Sequence, residues 1–189
     1  VDKGSVFGLI GVNGSGKTTL IKHLTGVMVP DSGESLIDGQ NVLDNMQIKD
    51  RTGYVADELY FLGNYDLKGM RKFCSRVYSG WDNARYMEML SDFGLSENSR
   101  LSRFSKGMQK QAAFILAMSA MPDYLILDEP VDGLDPIMRK KVWQYIVADV
   151  AEREMTVLVS SHNLRELEGL IDTVGILIGG KMRLERGNL

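Results

Sequence analysis

A glycine-rich segment near the start of the chain has the composition of a phosphate-binding loop. Residues 11–18 read Gly-Val-Asn-Gly-Ser-Gly-Lys-Thr and follow an apolar run, Val6 to Ile10, that predicts a strand. The residues after the loop have helical spacing. Glycine allows consecutive backbone amides to point at phosphate oxygens, and the first turn of a helix adds partial positive charge. The predicted phosphate-binding residues are Gly11, Asn13, Gly14, Ser15, Gly16, Lys17, Thr18 and Thr19.

The end of this loop indicates what kind of phosphate compound is bound. Lys17 can reach the β and γ phosphates of a nucleoside triphosphate, where its charge serves both binding and catalysis. The hydroxyl of Thr18 suits Mg²⁺, which neutralises part of the triphosphate charge. The alternative, a glycine-rich turn without a ligand, is disfavoured by the strand before the loop and the helix after it.

Two adjacent acidic residues end another apolar run, Tyr124 to Leu127. Ligand sites of α/β sheets lie beyond the carboxyl ends of the strands, so Asp128 and Glu129 are expected to face the phosphates. Asp128 suits the metal, and Glu129 can deprotonate or orient a water for attack on the γ phosphate. The alternative is a helix-capping or surface acidic pair.

The segment Phe104-Ser105-Lys106-Gly107-Met108-Gln109 precedes a predicted helix and offers a second anion site. Ser105 can cap the helix, and the Gly107 backbone with the helix dipole can bind a phosphate. On its own the segment also fits an ordinary capped helix. Together with the phosphate loop and the acidic pair, it resembles the signature motif of ABC transporter nucleotide-binding subunits, and the resemblance extends over essentially the whole chain.

This resemblance implies further roles for the same residues. In the family, Ser105 and Gly107 would bind the γ phosphate of an ATP held by a second protomer, so that two ATP molecules with Mg²⁺ lie between two subunits. Val131-Asp132-Gly133-Leu134-Asp135 resembles the loop that crosses this interface, and Asp135 can also cap a helix before Pro136. His162 follows an apolar run as the switch histidine of the family does, which implies contact with the γ phosphate and the attacking water. A lone histidine after a strand is more often structural.

The chain departs from the family pattern at two places. Asp57 in Tyr54-Val55-Ala56-Asp57 stands where the family commonly has a glutamine that contacts Mg²⁺ and senses the membrane partner. An ionised aspartate only accepts hydrogen bonds, so Asp57 is expected as a metal ligand, with its switching role in question. The family also has antiparallel strands and an adenine-stacking aromatic upstream of the phosphate loop. Only ten residues precede the loop here, so those strands are expected to be missing and the base to be held weakly.

The implied function is an ATP-hydrolysing subunit that dimerises around Mg-ATP and powers a separate membrane permease. The Ser-Lys-Gly-Met form of the signature resembles subunits that serve exporter-type permeases. Such a protein is cytoplasmic and peripheral at the inner face of the membrane. Two alternatives stay open: a soluble ABC-type ATPase that acts on nucleic acid or ribosomes, and a nucleotide sensor without turnover.

Composition narrows the possible partners and compartments. The 189 residues include 22 basic and 25 acidic side chains, so no basic excess points to nucleic acid. One cysteine excludes an internal disulfide and a four-cysteine zinc site. No apolar run approaches the ~20 residues that cross a bilayer.

The elements that must position these residues follow an α/β pattern. Apolar runs near 5–10, 125–127, 156–159 and 174–178 predict strands that are covered on both faces, hence a mainly parallel sheet flanked by helices. The expected fold is that of a P-loop NTPase in a single domain, 1–189. Helical spacing from Leu67 to Val77 and from Asp82 to Gly94, with no strand pattern between, predicts a helical subdomain inserted at about 59–121.

Overall fold

The computed structural model describes residues 1–59, 61 and 65–187, with side chains described up to residue 183. Its strands form a six-stranded sheet, in the order β4-β5-β6-β1-β7-β8, and a separate two-stranded hairpin, β2-β3. The strands are β1 (Val6–Ile10), β2 (Leu36–Ile37), β3 (Gln40–Asn41), β4 (Thr52–Val55), β5 (Tyr124–Asp128), β6 (Thr156–Ser161), β7 (Thr173–Ile178) and β8 (Lys181–Gly187). The first five strands of the large sheet are parallel, and β8 pairs antiparallel with β7.

Six α-helices surround the sheet in the described residues. They are α1 (Lys17–Leu24), α2 (Met46–Asp50), α3 (Leu67–Val77), α4 (Asn83–Asp92), α5 (Lys106–Ser119) and α6 (Pro136–Arg153). The predicted caps are confirmed for α4, α5 and α6, where side chains of Asp82, Ser105 and Asp135 accept hydrogen bonds from the first helical turn. No helix among these is long and apolar enough to cross a membrane.

The central strands are buried on both faces, as their unbroken apolar runs predict. Phe7 and Leu9 of β1 pack into one hydrophobic cluster with Ile21 of α1, whereas Val6 packs into a second cluster on the opposite face. Because successive residues of a strand alternate in direction, both faces must be apolar. The predicted mainly parallel α/β sheet is therefore confirmed.

Parallel pairing brings three strand ends to one edge of the sheet. Ile10 pairs with Ser161, and Asp128 pairs with Ser160. The residues that follow β1, β5 and β6 consequently emerge side by side. The phosphate loop, Glu129 and His162 are these residues.

The described part of the predicted helical subdomain, which excludes 60 and 62–64, contains α3, α4 and α5. Leu67, Tyr86 and Met89 of this part belong to the same hydrophobic cluster as Leu125 of β5 and Ile146 of α6. Helices and sheet thus share one core, and the subdomain boundary at 59–121 stays a prediction. Cys74 of α3 is buried in that core, and burial raises the pKa of its thiol to about 11.

Candidate active site

The loop at residues 11–16 joins β1 to α1 in a conformation that only glycine adopts easily. Gly14 and Gly16 have φ angles of 78° and 105°, where a side chain would strain the backbone. Gly11 is needed for space instead, because a Cβ there would lie 2.7 Å from the Leu177 carbonyl. Helix α1 begins immediately after Gly16, so the free amides of its first turn lie at the loop.

Lys17 connects this loop to the acidic pair. Its side chain is 6% exposed, and Nζ donates a 2.6 Å hydrogen bond to the Gly11 carbonyl. The same nitrogen lies 3.4 Å from Oε1 of Glu129. A buried ammonium group is stable only when acceptors pair with it. The Gly11 carbonyl and the Glu129 carboxylate are these acceptors for Lys17, the residue that the sequence predicts to bind phosphate.

Asp128 presents a carboxylate oxygen that fits a metal ion. Asp128 is fully buried, Oδ1 accepts a 2.6 Å hydrogen bond from Ser160, and Oδ2 has no hydrogen-bond partner among the described residues. An unpaired buried carboxylate oxygen is costly and calls for a cation or a donor. Asp128 and Thr18 line the same cavity, of about 640 Å³. A hydroxyl, one carboxylate and the oxygens of a triphosphate are a suitable Mg²⁺ ligand set.

Glu129 lies at a sharp backbone turn and faces His162. Its φ angle is 47°, its amide donates a 3.0 Å hydrogen bond to Oγ of Ser160, and its Oε2 lies 3.0 Å from Nδ1 of His162. A carboxylate flanked by an imidazole and the Lys17 ammonium can orient a water or accept its proton. The structure thus brings Lys17, Glu129 and His162 together, as the sequence reasoning requires.

Asp57 lines the cavity of Thr18 and Asp128, but its carboxylate already has a partner. Oδ1 accepts a 2.9 Å hydrogen bond from Nζ of Lys110. Its role as a metal ligand stays a prediction, because one of its two oxygens is engaged. Tyr54 lines the same cavity, and burial together with Asp128 and Asp57 raises the pKa of its phenol to about 12.

The predicted second anion site lies at the start of α5. Oγ of Ser105 accepts a 3.2 Å hydrogen bond from the Met108 amide, and a Cβ on Gly107 would lie 3.2 Å from the Gly133 carbonyl. In the described residues no hydrogen bond joins Ser105 or Gly107 to the loop at 11–18. The start of α5 therefore lies against the loop after Glu129, and no hydrogen bond in the described residues joins it to the phosphate loop of the same chain.

Sequence reasoning missed two residues that contact the acidic pair. Ser160 bonds both Asp128 and Glu129, and a signal existed in its position at the end of β6. Lys110 donates to the Glu129 carbonyl at 2.8 Å and to Asp57. The sequence carries no signal for Lys110, since its partners are 19 and 53 residues away.

Known proteins resemble the chain in sequence and in fold. Residues 1–132 match the ABC transporter family. The ABC transporter ATP-binding protein YtrB of Bacillus subtilis is 33% identical over 94% of the chain and 61% of its own length. The bacitracin transport ATP-binding protein BcrA of Bacillus licheniformis is 35% identical over 96% of the chain and 60% of its length. The chain thus spans about three fifths of these relatives.

A solved structure of an ATP-binding subunit of an ABC transporter has the same fold. It superposes with a TM-score of 0.90 at 29% identity, covering 99% of the chain and 80% of that structure. From its motifs, its fold and these likenesses, the chain belongs to the ABC transporter family, as an ATP-binding domain.

Proposed function

We propose that the chain binds Mg-ATP and hydrolyses it, and that hydrolysis powers transport through a membrane permease. The observation that carries this proposal is the contact of Glu129 with both Lys17 and His162 at the edge of the sheet. A nucleotide sensor without turnover needs the phosphate loop but does not need a carboxylate placed between an imidazole and an ammonium group. The arrangement therefore favours hydrolysis over sensing.

Each residue has a chemical task in this proposal. The amides of the loop and Lys17 bind the phosphates, and Lys17 exchanges the Gly11 carbonyl for phosphate oxygens when ATP binds. Thr18 and Asp128 would hold Mg²⁺, which supplies charge neutralisation when bound. Glu129 accepts a proton from the attacking water while His162 orients the carboxylate and the water. Asp57 would be a further metal ligand in this scheme through Oδ2, because Lys110 bonds Oδ1.

A second protomer completes the site. Ser105 and Gly107 form an anion-binding helix start that makes no hydrogen bond to the phosphate loop of its own chain in the described residues. Binding a γ phosphate held by another copy, or by a related chain, gives these residues a ligand. The proposal therefore includes a homodimer or a heterodimer that closes around ATP.

The partner we propose is a membrane permease of the exporter type. The Ser-Lys-Gly-Met signature, which resembles that of exporter-type subunits, supports this choice, and the chain is similar to a protein named for bacitracin transport. A subunit of this kind would be cytoplasmic and peripheral at the inner face of the membrane. The net charge of -3 gives no support to the alternative that acts on nucleic acid or ribosomes.

Phosphate release from the full-length protein tests the proposed hydrolysis. We expect Glu129→Gln to retain ATP binding and to lose roughly 10²-fold or more in turnover, the scale of a lost general base. Lys17→Ala is the contrasting variant, because removing the phosphate-binding charge should weaken ATP binding itself. Turnover by Glu129→Gln at the wild-type rate would contradict the role of Glu129, and ATP binding without turnover in the wild type would favour the sensor.

A further inference from the structure

We propose that Lys110 is a positioning residue for the hydrolysis site, where its ammonium group ties the backbone of Glu129 to the carboxylate of Asp57. This inference rests on the proposed function, because it concerns the residue proposed as general base. Lys110 lies on α5, outside the phosphate loop, the acidic pair and the Ser105–Gly107 site.

The contacts of Lys110 leave it little freedom. The residue is 8% exposed, and Nζ lies 2.8 Å from the Glu129 carbonyl and 2.9 Å from Oδ1 of Asp57. A buried ammonium needs acceptors, and a charged hydrogen bond is stronger than a neutral one. The side chain of Asp57 is 44% exposed, so this carboxylate is the solvent-facing member of the pair. Lys110 therefore links the backbone of Glu129 to a carboxylate that is exposed to solvent.

The backbone of Glu129 requires such a support. Its φ angle of 47° lies in the left-handed region, which a residue with a side chain adopts only when its surroundings hold it there. Two groups hold the carbonyl, the Lys110 ammonium and the Asp132 amide at 3.3 Å, while Ser160 holds the amide. Since this backbone conformation sets the direction of the side chain, Lys110 helps to aim the carboxylate at His162.

Asp57 borders two cavities of the site. It lines the cavity that contains Thr18 and Asp128, and also a second cavity that contains Gln109 and Gly133. The loop after β4, helix α5 and the turn at Glu129 thus meet at one ammonium group. Losing that group should disturb turnover much more than ATP binding, because its hydrogen bonds in the described residues go to Asp57 and Glu129 and not to the phosphate loop.

The test compares Lys110→Met with Lys140→Met in the full-length protein. Both changes remove a lysine charge from a helix, but Lys140 is exposed on α6 and away from the acidic pair. Three quantities are measured: the ATP dissociation constant, the turnover number and amide hydrogen exchange of the peptide 127–133. For Lys110→Met we expect turnover to fall about 10- to 100-fold, ATP affinity to change less than about threefold, and exchange at 127–133 to accelerate. Lys140→Met should match the wild type in all three.

Two results would overturn the inference: unchanged turnover and exchange in Lys110→Met, or a loss of ATP affinity as large as the loss of turnover. If Lys110→Met does not fold, Lys110→Gln replaces it, because its neutral amide is one bond shorter than the lysine side chain and removes the charge without placing an apolar group among the acceptors. Faster exchange at 127–133 supports the connection, and unchanged exchange refutes it. Wild-type protein without hydrolysis would refute the proposed function, while the exchange measurement would still decide whether Lys110 holds the turn.

Discussion

The hydroxyl of Ser160 contacts both acidic residues at the end of β5. It donates to Oδ1 of Asp128 and accepts from the amide of Glu129, at 2.6 and 3.0 Å. By engaging one oxygen of Asp128, it leaves Oδ2 as the free oxygen among the described contacts. In the proposed mechanism, this single hydroxyl leaves one carboxylate oxygen available to the metal and fixes the backbone of the proposed general base.

At the residue scale, Ser160→Ala should reduce turnover about tenfold and raise the Mg²⁺ concentration needed for half-maximal activity. The variant leaves a buried carboxylate oxygen and a backbone amide unpaired, and a hydrogen bond to a charged group contributes about 1.5–3 kcal/mol. Phosphate release measured over a Mg²⁺ titration checks both effects. Ser119→Ala is the matched control, because Ser119 is equally buried but its hydroxyl bonds, in the part of the chain that the structure describes, only the Ile115 carbonyl of its own helix. Equal effects of the two variants would contradict this account.

At the element scale, a buried ion pair joins α4 of the predicted helical subdomain to α6. Asp149 of α6 is almost fully buried, and its two oxygens accept 2.6 Å contacts from Arg85 of α4 and Arg153. Arg85 belongs to the predicted helical subdomain, whereas α6 packs beside the sheet. The charged contact adds a directional constraint to the packing of these helices, as does the 2.6 Å hydrogen bond from Tyr145 of α6 to Asp92 of α4.

Asp149→Asn should therefore lower the free energy of unfolding by about 3 kcal/mol, the lower end of the cost of breaking a buried pair, since both arginines keep some contact with water. Urea unfolding followed by circular dichroism provides the measurement. Glu152→Gln is the control, because it removes an acidic charge from the exposed side of the same helix. A loss of stability equal to that of the control would mean that Asp149 and its arginines contribute nothing net.

The elements differ in how well the sequence predicts them. Apolar runs and capping residues locate β1, β5, β6, α4 and α6, because burial on both faces and side-chain caps leave local patterns. The sequence does not indicate strand β4, Thr52–Val55, because a four-residue segment that includes a glycine shows no clear alternation of apolar and polar residues. It becomes a strand by pairing with β5. The sequence also does not indicate the Lys110–Asp57 contact, because these distant segments meet only in the folded chain.

At the scale of the whole molecule, the two parts of the proposed ATP site lie apart in the chain. The sheet edge offers the phosphate loop with its acidic pair, and the start of α5 offers Ser105 and Gly107 beside the loop at Gly133. The positions on the sheet edge follow from local motifs and parallel pairing. The proposed completion by a second protomer depends on surfaces that one sequence does not encode by pattern alone.

ATP should accordingly drive dimerisation of the full-length Glu129→Gln protein, in which ATP is bound but not consumed. Adding Ser105→Glu should keep the protein monomeric, because a carboxylate at this helix start repels the γ phosphate. Light scattering at saturating Mg-ATP distinguishes the two species. Ser75→Glu, an acidic change at an exposed position of α3, should dimerise like its parent. A monomeric Glu129→Gln protein would count against the shared site.

The buried thiol of Cys74 makes the molecule convenient for spectroscopy. It is the single cysteine of the chain, and with a pKa of about 11 it is almost entirely protonated near neutral pH. Alkylating dyes should therefore not react with Cys74 while the protein is folded. A cysteine placed on an exposed helix position could then carry a fluorophore or a spin label with little background, and the distance between two such labels would follow the closing of protomers in real time.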